Sequence, residues 1–424
     1  MGYIYASSGY ADDVQEAVDM AIVGDYVVLP EGIWVWNGEL VTIPDGGVNL
    51  IGASLAGCMG HEDGWAHYTP TTILRNNVQA QMINCGRETH GNGQLNPVRI
   101  SGIQLEGFPP ANVAEEQSGV NALYLRQIPN FRIDYCTFVN WGSAPVHITC
   151  NDGVYGANVS SYGVIDHNVI TNPYKLTPPP DGNWYWGYGI GMSGTARLSD
   201  PDIMDEWDEQ AQNWFGYYGF KKGGIVVYIE DNHINLPRHH ISSLDFAFYT
   251  ARYNLLDEPA CGYQAAAIDV HGPAYPSGRG CVAYNNKIVG AVNNQKPWGG
   301  TYYSAAVGLR GGSSLIYNNE FICNLYNQYN YFLLLSKGDY VEGLEYQQID
   351  QTYVWNNSYT GCTHITKPPE IIQDVHYFLR APNQAQDGFT YTPYPYPHPL
   401  TVEGIHSLSV HSNPSNIPFT IRRI

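Results

Sequence analysis

The chain has 424 residues with a formal net charge of −19, and only 14% of its residues are charged. It carries no basic tract, which argues against a nucleic-acid or anionic-membrane partner. No run approaches 18 apolar residues, which excludes a helical membrane span. The eight cysteines are dispersed without a CxxC pair; they read as buried thiols, with one or two disulfides as the alternative, rather than as a zinc ribbon.

In chain order, Asp12 precedes Val14, Ala17, Val18 and Ala21, which is helical spacing. Gln15 stands at the capping-box position and Gly24 at the stop, so a helix is predicted over 12–23. No signal peptide is visible ahead of it, so the expectation is either a leader already removed or an intracellular or virion protein. Short apolar segments follow, namely Tyr26–Leu29, Ile33–Trp36, Leu40–Ile43 and Val48–Ile51, punctuated by Gly and Pro. A helix ahead of short, closely spaced strands predicts a cap, residues 1–45, over the open end of stacked sheets.

From residue 99 a motif recurs: apolar residues, a polar pair often containing Asn, a spacer, then an apolar residue. Examples are Arg132-Ile-Asp-Tyr-Cys-Thr-Phe138, Val164-Ile-Asp-His-Asn-Val-Ile170 and Val282-Ala-Tyr-Asn-Asn-Lys-Ile288. Aligned on the fifth residue, the copies fall at 103, 136, 168, 232, 254, 286, 319 and 357. Repeats of this length denote a solenoid. Strands of four to six residues, with Asn returning at one corner, favour a parallel β-helix in which the amides stack from coil to coil. A second strand family alternates with the first: Ala122–Leu125, Val146–Thr149, Ile190–Met192, Ile241–Ser243, Ile268–Val270, Val307–Leu309 and Phe332–Leu335. The expected architecture is all-β, one right-handed parallel β-helix over 1–400 with a tail at 401–424.

The step from 168 to 232 is 64 residues and implies one coil with a large excursion, 173–223. That segment holds Trp184, Trp186, Trp214 and Tyr217. Flat rings with polar edges suit sugar faces, so these four are candidate substrate contacts, with Arg126 and Arg238 as candidate anion contacts.

Strict alternation along the second strand family turns His240, Asp269, His271 and Arg310 to one outer wall. A carboxylate-tuned imidazole is a general base, and an arginine can hold a carboxylate bidentately. The four are the candidate catalytic set. His239, His240, Asp269 and His271 also have the residue types of a transition-metal site; adjacent His239 and His240 are expected on opposite faces, which argues against it. A further ladder, Asp134, Asp166 and Glu230, with Arg252 next, stacks three carboxylates. They call for a cation, for which calcium is the hard oxygen-seeking choice, or for an arginine partner such as Arg252.

Here the residues resemble a family. The opening DDVQEAVDMAIVGDYVVLPEGIWVW, with VTIP and VNLIGAS, resembles the cap and first coil of pectin-lyase-like proteins, and RIDYCTF and VIDHNVI resemble a pectate lyase strand. HHISSLDFAFYTARYNLL, AIDVHG and GCVAYNNKIVG are similar in order and spacing to the core of chondroitinase B and alginate lyases, and YTPYPYPHPL resembles a tail of secreted β-helix proteins. The resemblance implies a parallel β-helix acting on polysaccharide outside the cell or on a surface, a virion surface included. It also implies a catalytic lysine where Leu244 stands, a catalytic arginine where Val270 stands, and calcium acids where Pro237, Arg238, His239 and His240 stand. The chain departs at every one, so that family's calcium-assisted chemistry does not transfer. The functional expectation is a polysaccharide lyase or glycoside hydrolase with a groove along one wall; the alternative is a glycan-binding or structural surface β-helix.

Overall fold

The computed structural model describes residues 2–402 apart from 44–45, 61–65, 79, 87–95, 109–119, 142, 150–160, 173–187, 194–225, 245–246, 258–264, 272–279, 291–303, 324–329, 337–348 and 350. Three long parallel sheets of 12, 10 and 10 strands run the length of the described chain. Every coil donates one strand to each, as Phe131–Asp134, Thr137–Val139 and Val146–Thr149 do in turn. Each sheet pairs a strand with its counterpart one coil away, so all pairing inside the three sheets is parallel. This is a right-handed parallel β-helix. One antiparallel hairpin, Leu55–Gly60 with Ala66–Pro70, departs from the pattern as an insertion within an early coil.

Inward residues repeat in register. Leu50, Ile100, Ile133, Ile165, Ile229, Ala251, Ala283, Ile316 and Val354 form one continuous row of the core. Each coil alone would leave its apolar face open, and stacking closes it.

The predicted asparagine corner is present. The amide oxygens of Asn232, Asn254, Asn286 and Asn319 each accept from the backbone N–H and the side-chain amide of the asparagine one coil earlier, at 2.9–3.1 Å. Asn168 begins the ladder by accepting from the Cys136 N–H, and Asn357 ends it. The residue before each rung is left-handed, with φ of 53° at Tyr135, 55° at His167 and 56° at Tyr253. A tyrosine or histidine adopts that conformation only where its surroundings over-determine it, and the buried ladder does so.

The N-terminal helix spans Ala11–Met20 and lays Val14, Ala17 and Val18 on the core. Its N-cap is Tyr10, with no side-chain capping bond, which corrects the capping-box expectation. Gln15 instead accepts from the Thr42 N–H at 2.7 Å and donates to the Thr42 carbonyl at 3.1 Å. Its amide thus completes the free edge of the third sheet's first strand, Val41–Ile43.

At the other end the first sheet finishes with Tyr377–Phe378. The chain then returns along the outer face of that sheet, and Phe389, Tyr391, Tyr394 and Leu400 pack on Val164, Tyr228, Tyr284, Tyr317 and Tyr353. The strap covers the expected carboxylate ladder.

That ladder is real in register, running Ser101, Asp134, Asp166, Glu230, Arg252, Tyr284, Tyr317 and Trp355, but it is not a calcium site. Asp134 accepts from Arg99 Nε at 3.0 Å, and Arg132 joins it to Asp166, at 3.1 and 2.8 Å. Asp166 also bonds His167 at 2.8 Å, and Glu230 takes Arg252 at 2.6 Å and the His398 N–H at 2.8 Å. Burial alone would raise the Asp166 pKa, but His167 and Arg132 outweigh it and hold it below its ordinary value. The guanidinium groups occupy the place a cation would take, and they also donate to strap carbonyls of Tyr394, Pro395 and Leu400.

Candidate functional site on the third-sheet wall

The outer face of the third sheet is where the candidate catalytic residues were expected. Simple alternation fails there at one step per coil. Ala267 and Ile268 both join the core, as do Ala306 with Val307 and Phe332 with Leu333. The strand pairing skips the same step, since Ala266–Ala305 and Ile268–Val307 pair but Ala267–Ala306 do not. A shared kink therefore turns two consecutive residues inward in each of these coils. Upstream of it the phase inverts: a Cβ built on Gly308 would lie 2.9 Å from that of Ala266 and 3.3 Å from Asp269 Oδ1, placing all three on the outer face.

The kink exchanges the two histidines. His240 turns to the corner with the second sheet, where its Nε2 bonds the Asp257 carbonyl at 2.9 Å. Burial pushes its pKa down to about 4. It is a neutral structural histidine, which corrects its place in the catalytic set. His239 takes that place, with Nε2 3.9 Å from Asp269 Oδ2 and Nδ1 2.8 Å from the Ala266 carbonyl. Its ring packs on Tyr188 at 5.3 Å. Burial, with Arg238 and Arg310 nearby, lowers its pKa to about 3 despite Asp269, so it too is neutral near pH 7.

The other three expected residues do come together. Asp269 Oδ2 lies 3.0 Å from His271 Nδ1, and Arg310 reaches Oδ1 at 3.5 Å. Burial would raise the Asp269 pKa, but Arg310, His239 and His271 overcome it and hold the carboxyl ionised, well below the usual range. The Asp269 side chain is 2% exposed, whereas those of His271 and Arg310 are 17% and 14% exposed. The carboxylate is thus the buried member of the group, and the two side chains that it touches are partly exposed. In a neutral His271, an Nδ1–H donated to Asp269 would leave Nε2 as the ring's acceptor.

Arg126 lies on the same wall, several coils earlier, in a groove of about 570 Å³ lined by Leu40, Gln81, Asn84, Asn121, Tyr124, Arg126, Ser143 and His147. Tyr124 and His147 stack at 5.2 Å, and the Arg126 guanidinium sits 5.2 Å over the Tyr124 ring. The sequence reading placed Arg126 on this wall but did not find the groove. Arg238, expected as a substrate contact, is only 5% exposed and close enough to His239 to act on its charge, so little of it is open to a polymer. Trp184, Trp186, Trp214 and Tyr217 lie outside the described residues. The 168-to-232 step is one coil, since Gly163–Asp166 pairs directly with Val227–Glu230; the strand Tyr188–Ser193 divides its excursion in two.

Among the described residues no set of three or more His, Cys, Asp or Glu side chains is arranged to hold a metal ion.

The three stacked parallel sheets define a right-handed parallel β-helix. No protein-family model matches the chain, and neither does any curated protein. Among solved structures it is similar to DFA-IIIase from Arthrobacter chlorophenolicus A6 in complex with GF2, at 11% identity over 87% of this chain and 91% of that one, with a TM-score of 0.48. It is also similar to alginate lyase from Paenibacillus sp. str. FPU-7, at 14% identity over 89% and 99%, with a TM-score of 0.39. A third is the Family 28 exopolygalacturonase of Yersinia enterocolitica, at 8% identity over 87% and 78%, with a TM-score of 0.35. At these values no residue role passes from any of them to this chain.

Proposed function

We propose that this protein is a carbohydrate-active enzyme that cleaves an acidic polysaccharide by β-elimination on the third-sheet wall. The observation that carries the reading is Asp269, ionised and buried, holding the partly exposed His271 and Arg310 side by side. His271 Nε2 would take the proton on the carbon bearing the sugar carboxylate. The electron pair left behind forms the ring double bond, the glycosidic C–O bond breaks, and the departing oxygen takes a proton from solvent. Arg310 would bind the carboxylate next to which negative charge develops, a differential stabilisation of the transition state. Hydrolysis fits less well, because it uses two carboxyl groups flanking the bond and this cluster holds one among the described residues. No helix of the described residues is long and apolar enough to cross a membrane; a polymeric uronate substrate would be met outside the cell or on a surface.

The test is incubation with a panel of pectic, alginate and glycosaminoglycan polymers, reading unsaturated-uronate absorbance and reducing ends. Elimination raises both, and His271→Ala removes both. Reducing ends without absorbance would mean hydrolysis. A retained polymer with neither readout would favour the second reading, a non-catalytic glycan-binding wall, for which the contacts of Asp269 with His271 and Arg310 are the supporting observation.

A further inference from the structure

We infer that the C-terminal strap is an acid-operated latch: uptake of one proton by His398 unfastens residues 391–401 from the outer face of the first sheet while the coils stay folded. The inference is independent of the chemistry assigned to the third-sheet wall.

Position carries the first part of the argument. Two arginine clamps hold the strap by its main chain. Arg252 donates to the Tyr394 and Pro395 carbonyls at 2.8 and 2.9 Å, and Arg132 to the Leu400 and Thr401 carbonyls at 3.1 and 3.4 Å. His398 stands between the two clamps and is 5% exposed. Its backbone N–H donates to Glu230 Oε1 at 2.8 Å, and its carbonyl accepts from Thr401 Oγ1 at 2.7 Å. Its ring packs at 4.8 Å on Tyr228 and 5.3 Å on Tyr394. Pro393, Pro395, Pro397 and Pro399 have no N–H to donate, so fastening falls to the side-chain clamps and to the packing of Tyr391, Tyr394 and Leu400.

Protonation geometry carries the second part. His398 Nδ1 accepts from the Leu400 N–H at 3.2 Å, so the neutral ring carries its hydrogen on Nε2. A second proton can go only to Nδ1, where it meets the Leu400 N–H and breaks that bond beside the Arg132 clamp. The ring is faced from the first sheet by Arg132, Asp166, Glu230, Arg252 and Tyr228, and from the strap by Tyr394. At the corner beyond them stand His167, paired with Asp166, and Asp231, which accepts from Tyr396 Oη. The carboxylates that could welcome a third cation are already committed. Asp166 holds Arg132 and His167, and Glu230 holds Arg252 and the His398 N–H. Burial, with Arg252 and Arg132 adding and Asp166 opposing, lowers the His398 pKa from 6.5 to about 4. An open strap returns the ring to water and to its ordinary value, so the open form takes the proton first. Opening is therefore favoured as pH falls from 6.5 towards 4, and the open-to-closed ratio should rise on the order of 20-fold between pH 7 and 5. Burial raises the Glu230 and Asp231 pKa values, so in stronger acid these two carboxyls favour the closed strap. The working window is thus pH 7 to 5.

The test is hydrogen exchange of the full chain, read by mass spectrometry at pH 7, 6 and 5, with each rate divided by the intrinsic rate at that pH. Protection of a peptide spanning 391–401 should fall on the order of 20-fold from pH 7 to 5. Peptides from Ser304–Leu309 and Asn330–Leu335 should stay far better protected at each pH. In His398→Asn the amide oxygen can still accept from the Leu400 N–H but cannot titrate, so strap protection should become independent of pH, whatever its level. His398→Gln replaces that variant if it does not fold. Strap protection that does not change with pH in the parent, or that falls equally in the variant, would overturn the latch. So would strap and core peptides exchanging at one common rate, because release would then occur only by global unfolding.

Discussion

Replacing Arg252 by Met tests the ladder and the strap together. The guanidinium is fully buried. It pairs with Glu230 at 2.6 Å, donates to Tyr284 Oη at 2.8 Å, and donates to the Tyr394 and Pro395 carbonyls at 2.8 and 2.9 Å. It also lies 4.9 Å over the Tyr228 ring and 5.3 Å over that of Tyr396. Methionine fills much of the volume but leaves Glu230 buried with only the His398 N–H. Breaking a buried pair in this way costs about 3–5 kcal/mol. The strap carbonyls add less than their nominal bond strength, because a released strap regains water. Against a total stability of about 5–15 kcal/mol for a typical folded protein, the denaturation midpoint in urea should fall sharply. Protease cleavage near residues 394–398 should begin at urea concentrations the parent resists. The double variant Arg252→Met/Glu230→Met should recover most of the loss, because the unpaired charge is gone, while the strap stays loose. A single-variant cost below about 1 kcal/mol, or a double variant no better than the single, would refute the view that Arg252 ties wall and strap together.

Four further outcomes are expected. Asn254→Ala removes three donated bonds, to Ile229 O, Arg252 O and Asn286, and the two bonds Asn254 accepts from Asn232; it should cost about 3–5 kcal/mol by thermal or urea unfolding, and a loss under about 1 would mean the ladder is replaceable. His240→Ala should lower the melting temperature and spare turnover, whereas His271→Ala should abolish turnover with little change in melting; the opposite pattern would restore His240 to the site. Gly280 has φ of 137°, and a Cβ there would stand 1.7 Å from the Ser313 carbonyl, so Gly280→Ala should destabilise by more than the usual glycine substitution, read as a shifted urea midpoint. Acid should weaken the fold early: His147, His240 and His398 have pKa values lowered to about 4 and His239 to about 3, from an ordinary 6.5. The unfolded chain binds those protons first, so stability is full above about pH 6.5 and falls as pH drops towards 4; His167, raised by Asp166, opposes with one group. A melting temperature flat between pH 7 and 5 would contradict this.

Period and composition alone determined the solenoid. The asparagines at 168, 232, 254, 286, 319 and 357 mark the corner because a buried amide has few ways to satisfy four bonds, and stacking on its own kind is one of them. The single coil across the 64-residue step, and the pairing of Glu230 with Arg252, were legible in the same way, since a coil repeat places equal positions of the motif in contact. Two things were decided only in three dimensions. The first is phase: alternation assumes an even pleat, and the kink at Ala267–Ile268 turns two neighbours inward. It moves His239 onto the wall and His240 off it, a change of one residue that reverses a face. The apolar doublets Ala306–Val307 and Phe332–Leu333 carry a trace of it, visible once the coils are registered. The second is long-range return: nothing local to Arg132, Arg252 or Glu230 announces that residues 394–401 will lie across them, because that contact spans more than a hundred residues and depends on where the last coil ends. Local pattern sets the coil, and the closure of distant chain on its outer face is settled by whichever buried groups still lack partners.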